Sequence, residues 1–339
     1  MKKKPTIEDV AKAANVSVAT VSRVVNRQGG VRKATEERIV RAIDELNYVR
    51  SAIARSMVRK ETKTIGVIIP DFTNPFFSEV ISGLQKSALG QNYFTLISSS
   101  NESKMIESEI IQHYIERGVD GLVVTTADEK GDHLDPVIKA GIPIVAVDRQ
   151  LKNYEVDTVL TGNREGAYEA VKHLISRGHT DIAIIRGPQG TTPGLERYRG
   201  FERAMKEYDL PIREEWIGEG DFMEGSGFAC AKRFYEASKR PTAIFSSNNK
   251  MSIGAVKALQ HLNWKIAEEI AFVGFDDIEI ATFIKPNLTM VSRHMRNLGE
   301  IAFQLLHDRM KNNQEVSTVK RQHILSPFLI VRDSCQKFY

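Results

Sequence analysis

Thr6-Ile7-Glu8-Asp9-Val10-Ala11-Lys12-Ala13-Ala14-Asn15-Val16-Ser17-Val18-Ala19-Thr20-Val21-Ser22-Arg23-Val24-Val25-Asn26 reads as two short helices separated by a tight turn. The Thr6 hydroxyl followed three residues later by Asp9 is a variant capping box, with acids in the first turn as the helix dipole prefers. Ile7, Val10, Ala11 and Ala14 share one helical face. Asn15-Val16-Ser17 breaks the pattern, and Ser17 can cap a second helix running through Val25. Val21 and Val25 give that helix its inward face, which leaves Thr20, Ser22, Arg23 and Asn26 outward or at its end. A third helix is expected from near Thr35, burying Ile39, Ile43 and Leu46. Two short helices, a turn and a third helix make a helix-turn-helix unit.

The chemistry of the second helix suits a DNA groove. Ser17, Val18 and Ala19 are small, so its start can approach base edges, where Val18 and Ala19 can touch thymine methyls. Arg23 is long enough for a bidentate contact to guanine. Thr6, Ser17, Thr20, Ser22 and Asn26 are donors of the type that holds phosphates and fixes register. Any one of these hydroxyls is commonly just a cap; the joint pattern points to DNA. Charge agrees. Residues 1–63 hold 15 Lys+Arg against 7 Asp+Glu, while the remainder holds 32 against 36. A basic head on a mildly acidic body is expected when only the head meets a polyanion.

Working outward, the body alternates strands and helices. Apolar runs recur at 64–70, 94–97, 121–124 and 143–148, and again at 182–185, 243–245 and 270–274. Helix-period segments lie between them, at 77–89, 107–117, 166–177 and 227–237. This alternation predicts parallel sheets with helices on both faces, divided near Thr161 into two similar lobes. Ligands of such sheets sit at the carboxyl ends of strands, so two facing lobes make a cleft that closes by a hinge.

The residues at those ends are Asp71 with Asn74-Pro75-Phe76-Phe77, then Asp148-Arg149, Arg197, Asn248, Phe275-Asp276-Asp277 and Arg293. Rings beside carboxylates, amides and guanidinium groups suit a small polyhydroxylated ligand, with C–H faces to stack and vicinal hydroxyls to bridge. Singly, each is commonly a loop residue or a helix cap; the set is what indicates a site.

The head motifs, with Glu45-Leu46-Asn47-Tyr48 and the body pattern, resemble the LacI/GalR repressor family over essentially the whole chain. The resemblance implies a helix-turn-helix head and hinge helix joined to a two-lobed α/β core like periplasmic sugar-binding proteins. It places the DNA-binding domain at 1–50, the hinge at 51–63 and the effector and dimerisation core at 64–339. Lobe one would span about 64–160 plus late crossover segments near Thr289 and 324–331, and lobe two about 161–288. It adds Tyr48, Ala54 and Met57 to the DNA-contacting residues, Met57 standing where the family usually wedges Leu into the minor groove. In the core it implies effector contacts from Asn74, Phe76, Phe77, Asp148, Arg149, Arg197, Asn248, Asp276 and Arg293. The set looks most like a pentose site, and 274–283 resembles the ribose-operon repressors. Two departures stand out: Asn249 where the family usually has Asp, and Arg293 where ribose binders often have an amide. An added cation favours a phosphorylated or acidic sugar.

The chain is thus expected to be a cytoplasmic, homodimeric repressor of a sugar-utilisation operon, released from a pseudo-palindromic operator by ribose or a related pentose. The alternatives are an anionic effector, or regulation by a protein or small-molecule corepressor, as purine-type members of the family use. No phosphate loop, His-Glu-x-x-His or nucleophile elbow appears, so an enzyme, a cofactor and a metal are not expected. Two cysteines exclude a disulfide framework. No apolar run reaches a membrane span and no signal segment opens the chain. The absence of a heptad run after Val331 leads us to expect a dimer without a tetramerisation tail.

Overall fold

The computed structural model describes residues 5–26, 28–48, 61–311 and 319–336. The hinge positions Ala54 and Met57 lie outside the described residues. The chain divides into two units, Met1–Thr62 and Lys63–Tyr339.

The first unit holds α1 (Ile7–Ala13), α2 (Val18–Val25) and α3 (Lys33–Glu45). The capping box forms as expected: Thr6 N donates to Asp9 Oδ2 at 2.8 Å, and Asp9 N donates to Thr6 Oγ1 at 3.3 Å. Asn15 ends α1 in the left-handed region at φ 51°, a conformation Asn tolerates because its short side chain can bond locally. Ser17 then caps α2 by accepting from Thr20 N. Val10, Ala11, Ala14, Val21, Ile39 and Ala42 form the buried centre, with Ile43, Leu46 and Tyr48 packed around it. Helix α3 starts two residues before Thr35, at Lys33, capped by the extended Arg32.

In the second unit, β1 (Thr64–Ile69), β2 (Phe94–Ser99), β3 (Gly121–Val124), β4 (Ile144–Val147) and β5 (Asp157–Thr161) form one sheet. They are connected through α4 (Pro75–Gly90), α5 (Lys104–Glu116) and α6 (Asp135–Lys139). The second lobe follows with α7 (Asn163–Ser176), β6 (Ile182–Arg186), α8 (Thr192–Glu207), β7 (Ile217–Glu219) and α9 (Glu224–Glu236). It continues through β8 (Ala243–Ser246), α10 (Asn249–His261), β9 (Ala271–Phe275) and β10 (Thr289–Ser292). Then come α11 (Met295–Lys311), β11 (Gln322–Leu325) and β12 (Phe328–Ile330).

The sheet orders are β11-β5-β4-β3-β1-β2 and β12-β10-β9-β8-β6-β7. Each is a 2-1-3-4-5 doubly wound order with one late strand added at the edge. Pairing is parallel throughout except for β12, which runs antiparallel to β10. Continuous apolar strands are explained by burial on both faces. Ile65, Val67 and Ile69 of β1 point to the layer of α4 and α11. Ile68, with Leu122 and Val124 of β3, points to the layer of α5. Helices α4 and α11 touch backbone to backbone. A Cβ on Gly83 would lie 2.0 Å from Arg296 O, and one on Gly299 would lie 1.9 Å from Val80 O.

The late segments correct the expected division. Thr289 does not return to lobe one; it opens β10, which pairs with β9. Among the described residues only α11 and β11 return, β11 pairing with β5. Phe328–Ile330 then goes back to the second sheet. The described residues therefore cross between lobes three times: at Gly162, at Arg293-His294 and at Ser326-Pro327. Short strands of three or four residues carry no periodicity that assigns them to one sheet or the other.

Asp157 ties two returning pieces to lobe one. Its buried carboxylate accepts from Arg309 on α11 at 2.7 Å and from Arg321, just before β11, at 2.8 Å. Burial pushes its pKa up, but bonds from Arg309 and Arg321 overcome this and hold it at about 2. Replacing Asp157→Asn should lower core stability by about 2–3 kcal/mol at neutral pH, since charge-assisted bonds are lost. A folded pKa below the unfolded value stabilises above about pH 4, and the advantage fades as pH falls through about 2. Urea unfolding of both proteins at pH 7 and in acid checks this; an equal gap at every pH contradicts it.

Candidate functional site

Two surfaces carry the residues singled out above. In the head, α2 has two apolar faces of different fate. Val21 is fully buried, whereas Val18 is 42% exposed. Ser17, Ala19 and Arg23 are exposed beside it. An exposed Val at a helix start, flanked by small residues and one free-standing Arg, has the shape and chemistry of a groove-reading end. The hydroxyls are engaged locally: Ser17 Oγ lies 2.8 Å from Thr20 Oγ1, and Asn26 Nδ2 donates to Ser22 Oγ at 3.1 Å. Thr6 caps α1 and remains exposed. The Tyr48 ring packs partly on the head core.

In the core, the carboxyl ends of β1, β4, β8, β9 and β10 converge on one cavity. Asn74, Phe76, Phe77, Asp148, Arg149, Arg197, Asn248, Asp276 and Arg293 all line it, together with Asp71. The ten positions come from both lobes. Asp148 follows β4 and Asp276 follows β9, which hold the same place in the two sheet orders. Both are left-handed, at φ 65° and 70°. Such strain in a non-glycine residue costs about 1–3 kcal/mol and collects at ligand sites.

Arg293, on the middle crossing, stands between them. Its Nη1 donates to Asp148 Oδ1 at 2.6 Å, and its Nε lies 2.5 Å from Asp276 Oδ1. The second contact sets the two charges directly against each other. The guanidinium lies 3.6 Å from the centroid of the Phe76 ring. Arg197, wholly buried, donates to Ser247 O at 2.6 Å and Asn163 Oδ1 at 2.8 Å, and packs over Phe275 at 3.9 Å. Arg149 grips Glu102 with both nitrogens, at 2.6 and 2.7 Å, and also donates to Thr126 O.

The pKa directions describe this floor. Burial pushes the Asp148 carboxyl up, but Arg293, Arg197 and Arg149 outweigh it and hold the group below its ordinary value. Burial, with Arg293 as a repelling neighbour, brings Arg197 down to about 10 despite Asp276 and Asp148. Burial lowers Arg149 too, but its bonds to Glu102 leave it above its ordinary value.

The amides do other work. Asn248 caps α10, accepting from Met251 N at 2.9 Å, while its Nδ2 holds Phe222 O at 3.0 Å. Asn74 caps α4 by accepting from Phe76 N, and the same oxygen accepts from Asn249 of the other lobe at 2.9 Å. The unexpected Asn249 is therefore half of a bridge across the cleft. Lys250 makes a second bridge, to Asp71 at 2.7 Å and Thr73 at 2.8 Å. Glu129 makes a third by accepting from Thr192 N at the start of α8. Asp277 turns away to pair with Arg332.

Sequence reasoning did not find Glu102, Pro193, Phe222 or Met223, which also line the cavity. Glu102 follows β2 and obeys the strand-end rule once that strand is extended to Ser99. Phe222 follows β7, whose three residues give no strand signal.

Residues 62–329 match a family model described as periplasmic binding proteins and sugar binding domain of LacI family. Residues 6–51 match one described as bacterial regulatory proteins, lacI family. The HTH-type transcriptional repressor PurR of Vibrio vulnificus (strain CMCP6) is 37% identical over 98% of this chain and 99% of its own length. The crystal structure of a putative ribose operon repressor from Burkholderia thailandensis is 32% identical, covers 79% of this chain and 98% of its own, and has a TM-score of 0.72. The lac repressor dimer bound to operator and the anti-inducer ONPF is 25% identical, covers 98% and 100%, and has a TM-score of 0.86.

The bridges from Asn249 and Lys250 should hold the lobes together. Replacing both with Ala should speed amide hydrogen exchange in 71–77 and 247–252 while leaving the centres of β1 and β8 protected. Unchanged exchange at the cleft rim would show that the bridges do not hold the lobes.

Proposed function

This chain belongs to the LacI family of bacterial DNA-binding transcriptional regulators, and from that premise we propose that it represses transcription as a homodimer whose operator affinity is set by a small polyhydroxylated effector held in the core cleft. The observation that carries this reading is the convergence of all nine expected effector residues, from both lobes, on one cavity crossed by the connecting segments. A ligand that touches both lobes changes how they are held, and such a change can be passed to a neighbouring subunit.

In the head, Val18, Ala19 and Arg23 read base edges. Thr6, Ser17, Thr20, Ser22, Asn26 and Tyr48 meet backbone and fix register, the hydroxyls exchanging their local bonds for phosphate oxygens. The domains are the head at 1–50, the linking segment at 51–63 and the core at 64–339, with lobe two now including β10 and β12. A homodimer is proposed because two copies of α2 need two half-sites, so the operator is a pseudo-palindrome. Large apolar side chains exposed on the core, Phe94, Met105 and Phe283 among them, are compatible with a subunit interface.

The effector acts as an inducer in this reading. Ribose is the finer expectation from sequence. One similar structure is a putative ribose operon repressor, whereas relatives aligned over nearly the full length carry the name PurR.

Replacing Arg23→Ala should reduce affinity for the operator by about 1–3 kcal/mol, or roughly 5- to 150-fold, with a smaller loss on unrelated DNA. Asp276→Asn should leave operator affinity unchanged and remove the effector response, because an ionised acceptor of hydroxyls is lost. Fluorescence anisotropy on a duplex from the upstream region of the chain's own operon, at fixed salt, reads both. Equal loss on all DNA removes Arg23 from base reading. A retained response in Asp276→Asn removes the cleft. Tighter DNA binding with effector would make the ligand a corepressor and overturn induction.

A further inference from the structure

Helix α8 begins where the two lobes meet, and its first turn takes one of its partners from the other lobe. The opening N–H groups of a helix have no acceptor inside it and must find one elsewhere. In α8 they belong to Thr191, Thr192 and Gly194, because Pro193 has no N–H to give. Thr191 N donates to Pro188 O at 3.2 Å, and Gly194 N donates to Thr191 Oγ1 at 3.2 Å, both within the same loop. Thr192 N instead donates to Glu129 Oε1 of lobe one. Beside it Gln150 N, also of lobe one, donates to Thr192 Oγ1 at 3.2 Å.

The lobe-one side of this contact is firmly held. Glu129 is 4% exposed and sits in the turn that follows β3. Its carbonyl accepts from Lys152 N at 2.7 Å, and Lys152 Nζ lies 3.4 Å from its second carboxylate oxygen. The two ends of the turn share one wholly buried acid, Glu107 on α5. One of its oxygens accepts from Ala127 N at 2.6 Å, and the other lies 2.8 Å from His133 Nε2. A carboxylate at a helix N-terminus meets the positive end of the helix dipole, and its bond to an amide is stronger than one between neutral groups. The bond from Asn249 to Asn74 on the other rim has no such charge. Arg197 lies further along α8 and reaches Asn163 at 2.8 Å and Asp276 at 3.4 Å. Fixing the start of α8 therefore fixes where this guanidinium stands.

We propose that Glu129 is a latch between the lobes: a positioning residue that sets how readily they part by holding the first turn of α8, and with it Arg197, against lobe one. Its consequence for DNA rests on the cleft controlling the head.

The test is amide hydrogen exchange on the full-length chain carrying Glu129→Gln, Thr192→Pro or both. Gln removes the charge and keeps the shape. Pro removes the N–H at a helix position that accepts it, and Thr191 before it already has the extended backbone that precedes proline, at φ −108° and ψ 145°. Each single variant should speed exchange about 10-fold or more at 127–131 and 191–196, and also at 249–252 on the opposite rim, with the centres of β3 and β6 still protected. The double variant should exchange no faster than the faster single one, because both changes break the same bond. Circular-dichroism melts confirm that the variants are folded. Faster exchange confined to 127–131 and 191–196 would make the contact merely local and overturn the proposal. Unchanged exchange, or additive effects in the double variant, would overturn it as well. Operator anisotropy without added ligand reads the consequence. Variants whose lobes part more readily should bind operator about 3-fold or more tighter, since in the induced mechanism drawing the lobes together releases DNA. Faster exchange on both rims with unaltered operator affinity would uphold the latch and contradict control of the head by the cleft.

Discussion

The core depends on one arrangement of charge: a guanidinium held between two buried carboxylates where the chain passes from one lobe to the other. Asp148 ends β4 and Asp276 ends β9, equivalent strands of two sheets with the same order. Arg293 lies on the middle crossing and reaches both. Removing Arg293 takes from Asp148 the guanidinium that bonds it, while Asp276 keeps Arg197 at 3.4 Å, and breaking such a buried pair costs about 3–5 kcal/mol. The lobes are therefore coupled through a group that is also the floor of the cleft. Whatever displaces Arg293 changes the link between lobes and the proposed ligand site in one step.

The doubly wound order explains why the site lies there. Parallel strands buried on both faces admit only apolar residues along their length, so polar chemistry is left to the loops at their carboxyl ends. Two lobes built alike and crossed three times bring those ends face to face. Around the charged centre stand bridges of a different kind. Asn74 to Asn249, and Lys250 to Asp71, join the rim through hydrogen bonds and one partly exposed ion pair. The neutral Asn74–Asn249 bond contributes about 0.5–1.5 kcal/mol and the half-buried Lys250–Asp71 pair about 1.5–3 kcal/mol. The rim can open without unfolding either lobe, whereas the floor cannot lose a charge cheaply.

Much of this was legible in the sequence, for identifiable reasons. Capping chemistry is local, so Thr6, Asp9 and Ser17 located α1 and α2 to within a residue. Apolar runs located seven strands, and the strand-end rule then placed Asn74, Asp148, Arg197, Asp276 and Arg293 in one site. What could not be read is what tertiary contacts decide. Thr289–Ser292, Gln322–Leu325 and Phe328–Ile330 are alike in length, yet the second joins one sheet and the other two join the other. Glu102 and Phe222 were missed because β2 runs two residues past its apolar stretch and β7 is only three residues long. Asn248 was placed in the cavity, but its amide is consumed in capping α10 and holding Phe222. Arg293 was marked as an added cation; its position between the two acids emerges only from the fold.

In the proposed mechanism the cleft and the DNA-binding head share one equilibrium, so thermodynamic linkage ties their affinities to each other. The dissociation constant of the cleft ligand should be measured on the free protein and on the protein saturated with operator, and compared with the change that ligand causes in operator affinity. The two factors should be equal and greater than one, ligand binding being weaker on the operator-bound protein. Identical ligand affinity in the two states would contradict it, because a site that does not sense the operator cannot control its release.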